Sequence, residues 1–420
     1  MQDPRAFLTR LFQAAVEAAD PARALLGNLP QCPRGRTVVV GAGKGAAQLA
    51  AAFENLWEGP LTGTVVTRYG YSCPTRTIKV LEASHPVPDD AGLAASAALR
   101  QAVSGLTPDD LVVALVCGGG SALLPAPPDG LTLEDEIAVN KALLASGAPI
   151  GEMNTVRKHV SAIKGGRLAA AAGPAKVVSL IVSDIPGDNP ALVASGPTVP
   201  DPAGRDQALV IIQRYSMDLP PAVMDHIASQ GADAPHPDDS VFQGHEVRVI
   251  ASARQSLTAA ARIAEDEGIE AVILSDAIEG EARDIGRMHG ALAREIATHN
   301  SPFAAPVVLL SGGETTVTIR GSDGRGGRNG ELALSLARDI DGLDRVCALA
   351  ADTDGIDGTE DNAGAFADGT TWRRLVDIGM DPAAALATNQ SWPAFAAIGG
   401  LFVTGPTGTN VNDFRAVLIH

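Results

Sequence analysis

Lysine is scarce in this chain: six residues of 420, against 26 arginines. Basic charge as a whole is short, with 32 Lys and Arg facing 49 Asp and Glu for a formal charge of −17. So acidic a chain lacks the basic face that neutralises nucleic-acid phosphates, which excludes nucleic acid as the expected partner. Long apolar runs are missing too. Hydrophobic residues make up 45%, yet no stretch of about 18 runs without a charge or a Gly/Pro break, so no membrane-spanning helix is expected. The four cysteines, Cys32, Cys73, Cys117 and Cys347, form no C-x-x-C pair. A reduced, cytoplasmic protein without structural zinc is the expectation. The first twenty residues lack the charge layout of a signal peptide, and their periodic apolar residues predict an amphipathic helix. There is no short internal repeat, and no Ser-His-Asp or Cys-His set at a recognisable spacing.

What is present is alternation. Strand-like runs at 37–40, 62–68, 77–83, 111–116 and 176–188, the last ending in a loop with two acids, are separated by helical patterns, and helices dominate from about 132 to 172. A Pro/Gly/Asp loop at 198–206 and a Pro/Asp cluster at 232–239 interrupt the pattern. It then resumes with strands near 247–252, 270–275, 306–319 and a last one around "FRAVLI". Strands alternating with helices predict an α/β fold: two Rossmann-like domains with mostly parallel sheets covered by helices. The expected division is residues 1–240 and 241–420, and the first sheet is free to draw a strand from beyond that boundary.

Several glycine turns follow strands. "VVVGAGKG" places Lys44 in a turn with Ala46 at the third position of G-x-G-x-x-G, and its spacing is wrong for a P-loop. A rare lysine there suits an anion site; a solvated loop lysine is the plain alternative. "VCGGGSALL" strips the side chains from Gly118, Gly119 and Gly120. Either the turn packs tightly under a neighbour, or bare N–H groups hold an anion at the start of the next helix. "SDIPGD" sets Asp184 just past a strand, where open α/β sheets bind ligands; such an acid suits a metal or a general base, or else a turn. "LLSGGETTVTI" does the same with Glu314. "AADTDGIDG" supplies Asp352, Asp354 and Asp357 at spacings that fail a calcium loop, and the last two read as turn acids. "GRGGRNGELAL" brings Arg325 and Arg328 to a helix start, where a carboxylate or phosphoryl group fits. The basic run Arg157, Lys158, His159, Lys164, Arg167 reads first as a solvated face and second as a cleft wall. His85, before a proline, reads as structural.

Taken in order, "GAGKG", "SHPVPD", "CGGGSALL", "VRKHVSAIKGGRLA", "VSDIPGD", "ASGPT", "SGGE", "GRGGRNGELAL", "ADTDGIDG" and "TGTNVND" resemble the bacterial and archaeal glycerate 2-kinase family, whose C-terminal part is the MOFRL domain. The resemblance runs from about residue 5 to 418. It implies ATP- and Mg²⁺-dependent phosphorylation of D-glycerate to 2-phosphoglycerate, in a cleft between two α/β domains. Lys44, Asp184, Glu314, Arg328, Asp352 and Asn410 match its functional positions. The expected roles are Lys44, Asp184 and Arg328 in catalysis; Glu314, Asp352, Asn410 and Arg325 on substrate; Gly118, Gly119, Gly120 and Ser121 on the ATP phosphates; and Asp184 with Glu314 on metal. Where many members carry Gln, this chain has Gly330. A homodimer is carried as an expectation that no residue decides. Members also bear the name hydroxypyruvate reductase, so an NAD(P)H enzyme using "GAGKG" as its dinucleotide turn, with Arg68 on a 2′-phosphate, is the alternative. A non-catalytic sugar-acid sensor ranks below both.

Overall fold

The run Thr37–Ala42, buried along its whole length, forms β1 in the computed structural model, which describes residues 3–320 and 324–420. With β2 (Leu61–Arg68), β3 (Ile78–Ala83), β4 (Leu111–Cys117), β5 (Lys176–Ser183) and β6 (Glu246–Ser252) it builds a six-stranded sheet in the order β3-β2-β1-β4-β5-β6. The pairs β1–β2, β1–β4, β2–β3 and β4–β5 are parallel. Alternation along the strands explains their apolar composition. Val38, Val40, Val112 and Ala114 pack with Leu99 and Leu168 on one face, while Val39, Val113 and Leu115 are buried on the other. The order reverses direction between β1 and β4. Turns beyond the carboxyl ends of those strands are where such sheets bind ligands. Beside the sheet, Val139, Leu143, Val156, Ile211 and Val223 join the helices Leu133–Ser146, Ile150–Lys158, Arg205–Arg214 and Pro221–Ala228 in a cluster of their own.

The second sheet corrects the sequence expectation of mostly parallel strands. Its members are β7 (Glu270–Ser275), β9 (Val307–Gly313), β11 (Val346–Asp352), β12 (Gly364–Asp368), β13 (Leu401–Phe402) and β14 (Asp413–Ile419), in the order β13-β12-β11-β14-β9-β7. A two-stranded parallel ribbon pairs β8 (Gly280–Glu281) with β10 (Thr315–Thr316). In the large sheet β7–β9 is parallel, whereas β9–β14, β14–β11, β11–β12 and β12–β13 are antiparallel. The last strand inserts between β9 and β11 and runs against both. Its sequence gives no hint of this. Continuous apolar runs mark burial on two faces, and helices cover both faces here whatever the strand direction. Val307, Leu309 and Val417 face Ile296 and Leu332; Val308, Leu310 and Leu418 face Phe12 and Leu257.

The chain forms two compact units, residues 21–250 and residues 1–20 with 251–420. The expected break at 240 therefore moves into β6, and the first helix changes sides. That helix, Pro4–Ala18, is amphipathic as expected: Asp3 caps it by accepting from the Ala6 N–H, and Phe7, Leu8, Leu11, Phe12 and Ala15 are buried. They pack with Leu257, Ala260 and Ala264 of the helix Ala253–Asp266. Apolar side chains every three to four residues need a partner face, and here the partner lies 240 residues downstream. No helix among the described residues is long and apolar enough to cross a membrane.

Candidate active site

In the 21–250 unit, three turns at carboxyl strand ends converge. The triple glycine follows β4, Lys44 follows β1 and Asp184 follows β5. Each glycine is required by a protein neighbour. A Cβ on Gly118 would overlap the Asp184 carboxylate. On Gly119, which is left-handed at φ 75°, it would lie 3.0 Å from Lys44 Cγ and 3.3 Å from His85 Nε2. On Gly120 it would lie 2.7 Å from Ala194 Cβ. The missing side chains thus let an acid, an ammonium stem and an imidazole meet at one turn. The following helix, Gly120–Leu123, is a single turn, so its dipole is small. What the loop offers an anion is its amides: among the described residues no backbone carbonyl beyond the loop's own helix accepts from the Gly119 or Gly120 N–H group.

"GAGKG" behaves otherwise. A Cβ on Gly43 would run into the backbone and thiol of Cys117. The Lys44 N–H donates to Gly118 O at 2.9 Å, and the Gly45 N–H to Cys117 Sγ at 3.2 Å. These glycines serve packing against β4; the Gly45 amide is spent there and the Gly43 amide on Val66 O of β2 at 3.1 Å. Burial pushes the Cys117 thiol up to about 12, so it is a packing group. Arg68 stacks its guanidinium 3.8 Å from the centroid of the Tyr71 ring.

His85, read as structural from the sequence, lines the same site. Burial, then Lys44 and Arg68, push its pKa down to about 4, leaving a neutral imidazole at pH 7. Ser121 Oγ lies 2.8 Å from Ser195 Oγ, and the Ser195 hydroxyl donates to Asn154 Oδ1 at 2.9 Å. The Ser195 proton being committed, Ser121 donates to Ser195 and turns lone pairs toward any ligand. The expected basic face of residues 157–167 is largely internal. Lys164 Nζ pairs with Glu136 at 2.5 Å, Lys158 pairs with Asp201, and Arg167 donates to backbone carbonyls including Ala232 O. Asn154 and Ser195 carried no sequence signal beyond polarity, whereas Arg157 stood in the basic run read second as a cleft wall.

In the other unit Arg328 opens the helix Arg328–Asp339. Its Nε donates to Asp413 Oδ1 at 2.7 Å, Nη1 to Glu314 Oε1 at 2.6 Å and Nη2 to Asp352 Oδ2 at 2.7 Å. Burial opposes its charge, but Asp413, Asp352 and Glu314 hold the guanidinium pKa far above its usual range. Asp413 is fully buried and also takes Arg415 Nη2 at 2.6 Å and Asn329 Nδ2 at 2.9 Å. Burial works against its ionisation; Arg328 and Arg415 win and lower its pKa. Burial and Asp354 raise that of Asp352 despite Arg328. Glu314 alone of the three acids has an exposed side chain. Arg325 and Asn410, expected on substrate, are not drawn in. Arg325 pairs with Glu360 at 2.6 Å and stacks 4.0 Å from the Trp392 ring centroid. Asn410 Oδ1 accepts from the Asn412 N–H at 3.0 Å. Asp413 and Arg415 were missed because both sit inside the apolar-looking β14.

Two family descriptions match: a domain of unknown function, DUF4147, over residues 7–228, and the MOFRL family over residues 307–413. A glycerate 2-kinase from Pyrococcus horikoshii is 40% identical, with 99% of this chain and 98% of that protein covered. The chain belongs to the glycerate kinase family. A crystal structure of glycerate kinase from Thermotoga maritima superposes on this family member with a TM-score of 0.89 at 37% identity, covering 99% of both chains. An Agrobacterium vitis protein named, provisionally, a hydroxypyruvate reductase is 53% identical over 99% of this chain and 94% of its own length.

Proposed function

We propose that this chain transfers the γ-phosphoryl group of ATP, with Mg²⁺, to the 2-hydroxyl of D-glycerate, giving 2-phosphoglycerate. The observation that carries the reading is the meeting of Lys44, His85 and Asp184 at the triple-glycine turn, at the point where the first sheet reverses. Gly118, Gly119 and Gly120 bind ATP phosphate oxygens through N–H groups, with Ser121 beside them as an acceptor. Lys44 offsets charge on the transferred group. Asp184 orients and deprotonates the attacking hydroxyl. Among the described residues no three His, Cys, Asp or Glu cluster as a metal cage. A magnesium shared with phosphates needs only one or two carboxylates, and Asp184 and the exposed Glu314 each fit that demand. Bound there, Mg²⁺ would neutralise phosphate charge.

Three carboxylates around one guanidinium make the Arg328 cluster acidic at rest. For Arg328 to stabilise a phosphoryl group one pair must open, and the exposed Glu314 is that pair. Asp352 with its raised pKa stays in contact with substrate.

The test is product analysis: ADP release from D-glycerate and ATP·Mg²⁺, with phosphorus NMR of the acid. A 2-phosphoglycerate signal is expected, and a 3-phosphoglycerate signal alone would overturn the regiochemistry. The name of the Agrobacterium relative favours a second reading, reduction of hydroxypyruvate by NAD(P)H. NAD(P)H oxidation without ADP formation would establish it. The buried glycines of "GAGKG" argue against it, since a pyrophosphate needs the space and the amides that Cys117 and Gly118 fill.

A further inference from the structure

Beside the triple glycine lies a cavity of about 210 Å³, walled by Ser121, Asn140, Asn154, Arg157 and Ser195, with Leu144, Ile150 and Leu192 as its apolar side. The roles above leave most of it unused. It is smaller than the sites that hold drug-sized ligands and suits a molecule of a few carbons.

Arg157 makes it polar in a directed way. Its Nε donates to Asn140 Oδ1 and its Nη1 to Asn154 Oδ1, both at 3.0 Å. These partners are neutral. Burial lowers its pKa, yet a guanidinium stays charged. The acid that acts on it, Glu136, is bonded to Lys164 Nζ and to the Ala126 N–H. A largely buried cation held by amide oxygens is costly unless an anion joins it. Two of its five N–H groups are used by those amides.

The adjoining wall has the reverse character. Asn154 Oδ1 receives Arg157 and Ser195, while its Nδ2 donates to Leu192 O at 3.0 Å, which fixes the amide. Ser195 therefore donates away from the cavity, and Ser121 Oγ presents lone pairs. Asp184 lies on the same lining. Ala194 and Ser195 hold left-handed φ angles of 51° and 60°. Non-glycine residues adopt these only under backbone strain, typically at ligand clamps. A phosphate would find acceptors at this wall. A hydroxyl would find what it needs.

We propose that this cavity seats the hydroxy-acid: Arg157 pairs with its carboxylate, and its hydroxyl donates toward Ser121 Oγ and the Asp184 carboxylate. Turnover in the test rests on the kinase reading; binding does not.

Arg157→Met keeps the length and removes the charge. Asn140→Asp is isosteric and gives Arg157 an internal counter-ion, so it tests the charge even where Arg157→Met disturbs folding. Both should raise the KM for D-glycerate by about 10–100-fold, the loss of one charge-assisted bond, and leave the KM for ATP within about twofold. Arg157→Lys should recover part of the loss. Calorimetric titration of D-glycerate alone should show binding to the whole protein that both variants weaken alike. An unchanged D-glycerate affinity in either folded variant overturns the proposal. So does a rise in the KM for ATP alone, which would assign the cavity to a nucleotide phosphate. Absence of ADP formation in the unmodified protein, with D-glycerate binding intact and lost in the variants, would sink the kinase reading and leave the site standing.

Discussion

Arg328 directs N–H groups of three separate nitrogens at three carboxylates, a spread that the single nitrogen of a lysine does not reproduce. Arg328→Lys should therefore behave almost as Arg328→Ala, with turnover down by roughly 10²–10³-fold. A charged residue in a glycine loop would ordinarily be removable without harm to folding. Here removal of the charge leaves buried Asp352 without its cation and Asp413 with Arg415 alone, so Arg328→Ala should also lose up to about 3 kcal/mol. Steady-state kinetics with urea denaturation checks this; near-normal kcat/KM in Arg328→Lys would take the fork out of the mechanism. Gly119→Ala makes a complementary test. It forces a left-handed alanine, at about 1–2 kcal/mol, and pushes its Cβ toward Lys44 and His85. Turnover should fall by more than that stability loss explains. Adding Lys44→Ala should then cost less than it does alone, because the two act on one group. Full multiplicativity would reduce the triple glycine to a packing turn.

At the scale of elements, the helix Arg328–Asp339 starts at Gly327 without a side-chain cap of its own. Asp357, from the loop after β11, supplies it by accepting from the Asn329 N–H at 3.0 Å and the Gly330 N–H at 2.8 Å. A Cβ on Gly330 would lie 2.8 Å from Ser391 Oγ, so a larger residue there requires Ser391 to shift. Asp357→Ala should cost about 1–2 kcal/mol and lower turnover by tilting Arg328, whereas Asp354→Ala should not. Equal effects of the two on kcat would deny Asp357 its placing role. From the sequence Asp357 read as a turn acid, because a cap 28 residues away from its helix leaves no local pattern. The strands β1, β4, β5 and β14 were legible as apolar runs, Lys44 and Asp184 as polar residues at strand ends, and Arg328 as one at a helix start. β12 and β13 were not: "GAFAD" and "LF" are too short and too alanine-rich to stand out from the helices around them. The basic stretch after residue 157 misled in the same way, since ion pairs to Glu136 and Asp201 are invisible until the chain folds.

Across the whole molecule, three histidines are folded neutral. His85 and His159 lie in the 21–250 unit and His289 in the other, and burial pushes each down to about 4. His159 Nδ1 donates to Thr155 O at 2.7 Å, His289 Nδ1 to Ile285 O at 2.9 Å, and His289 Nε2 accepts from Ser311 Oγ at 2.8 Å. An unfolded histidine takes its proton near 6.5. Between about 6.5 and 4 the unfolded chain therefore binds more protons than the folded one, and stability falls as the pH falls. Asp357 runs the other way. Burial raises its carboxyl to about 6, so its contribution is present at low pH and is lost as pH rises from about 4 to 6. Asp352, also raised, acts with Asp357, while burial lowers His226, His245 and His420 like the first three, and six groups against two leave a net loss on acidification. His289, 1% exposed, is the one of the three in its unit and should contribute at most about 3 kcal/mol for a shift of this size. The two units need not unfold together, so each requires its own probe: Trp57 in one, Trp372 and Trp392 in the other. Urea midpoints followed by those indoles should drop in both units between pH 7 and pH 4.5. His289→Gln should flatten the dependence seen by Trp372 and Trp392 while leaving that of Trp57 unchanged. An unaltered slope at Trp372 and Trp392 would mean that His289 is not the group that titrates there.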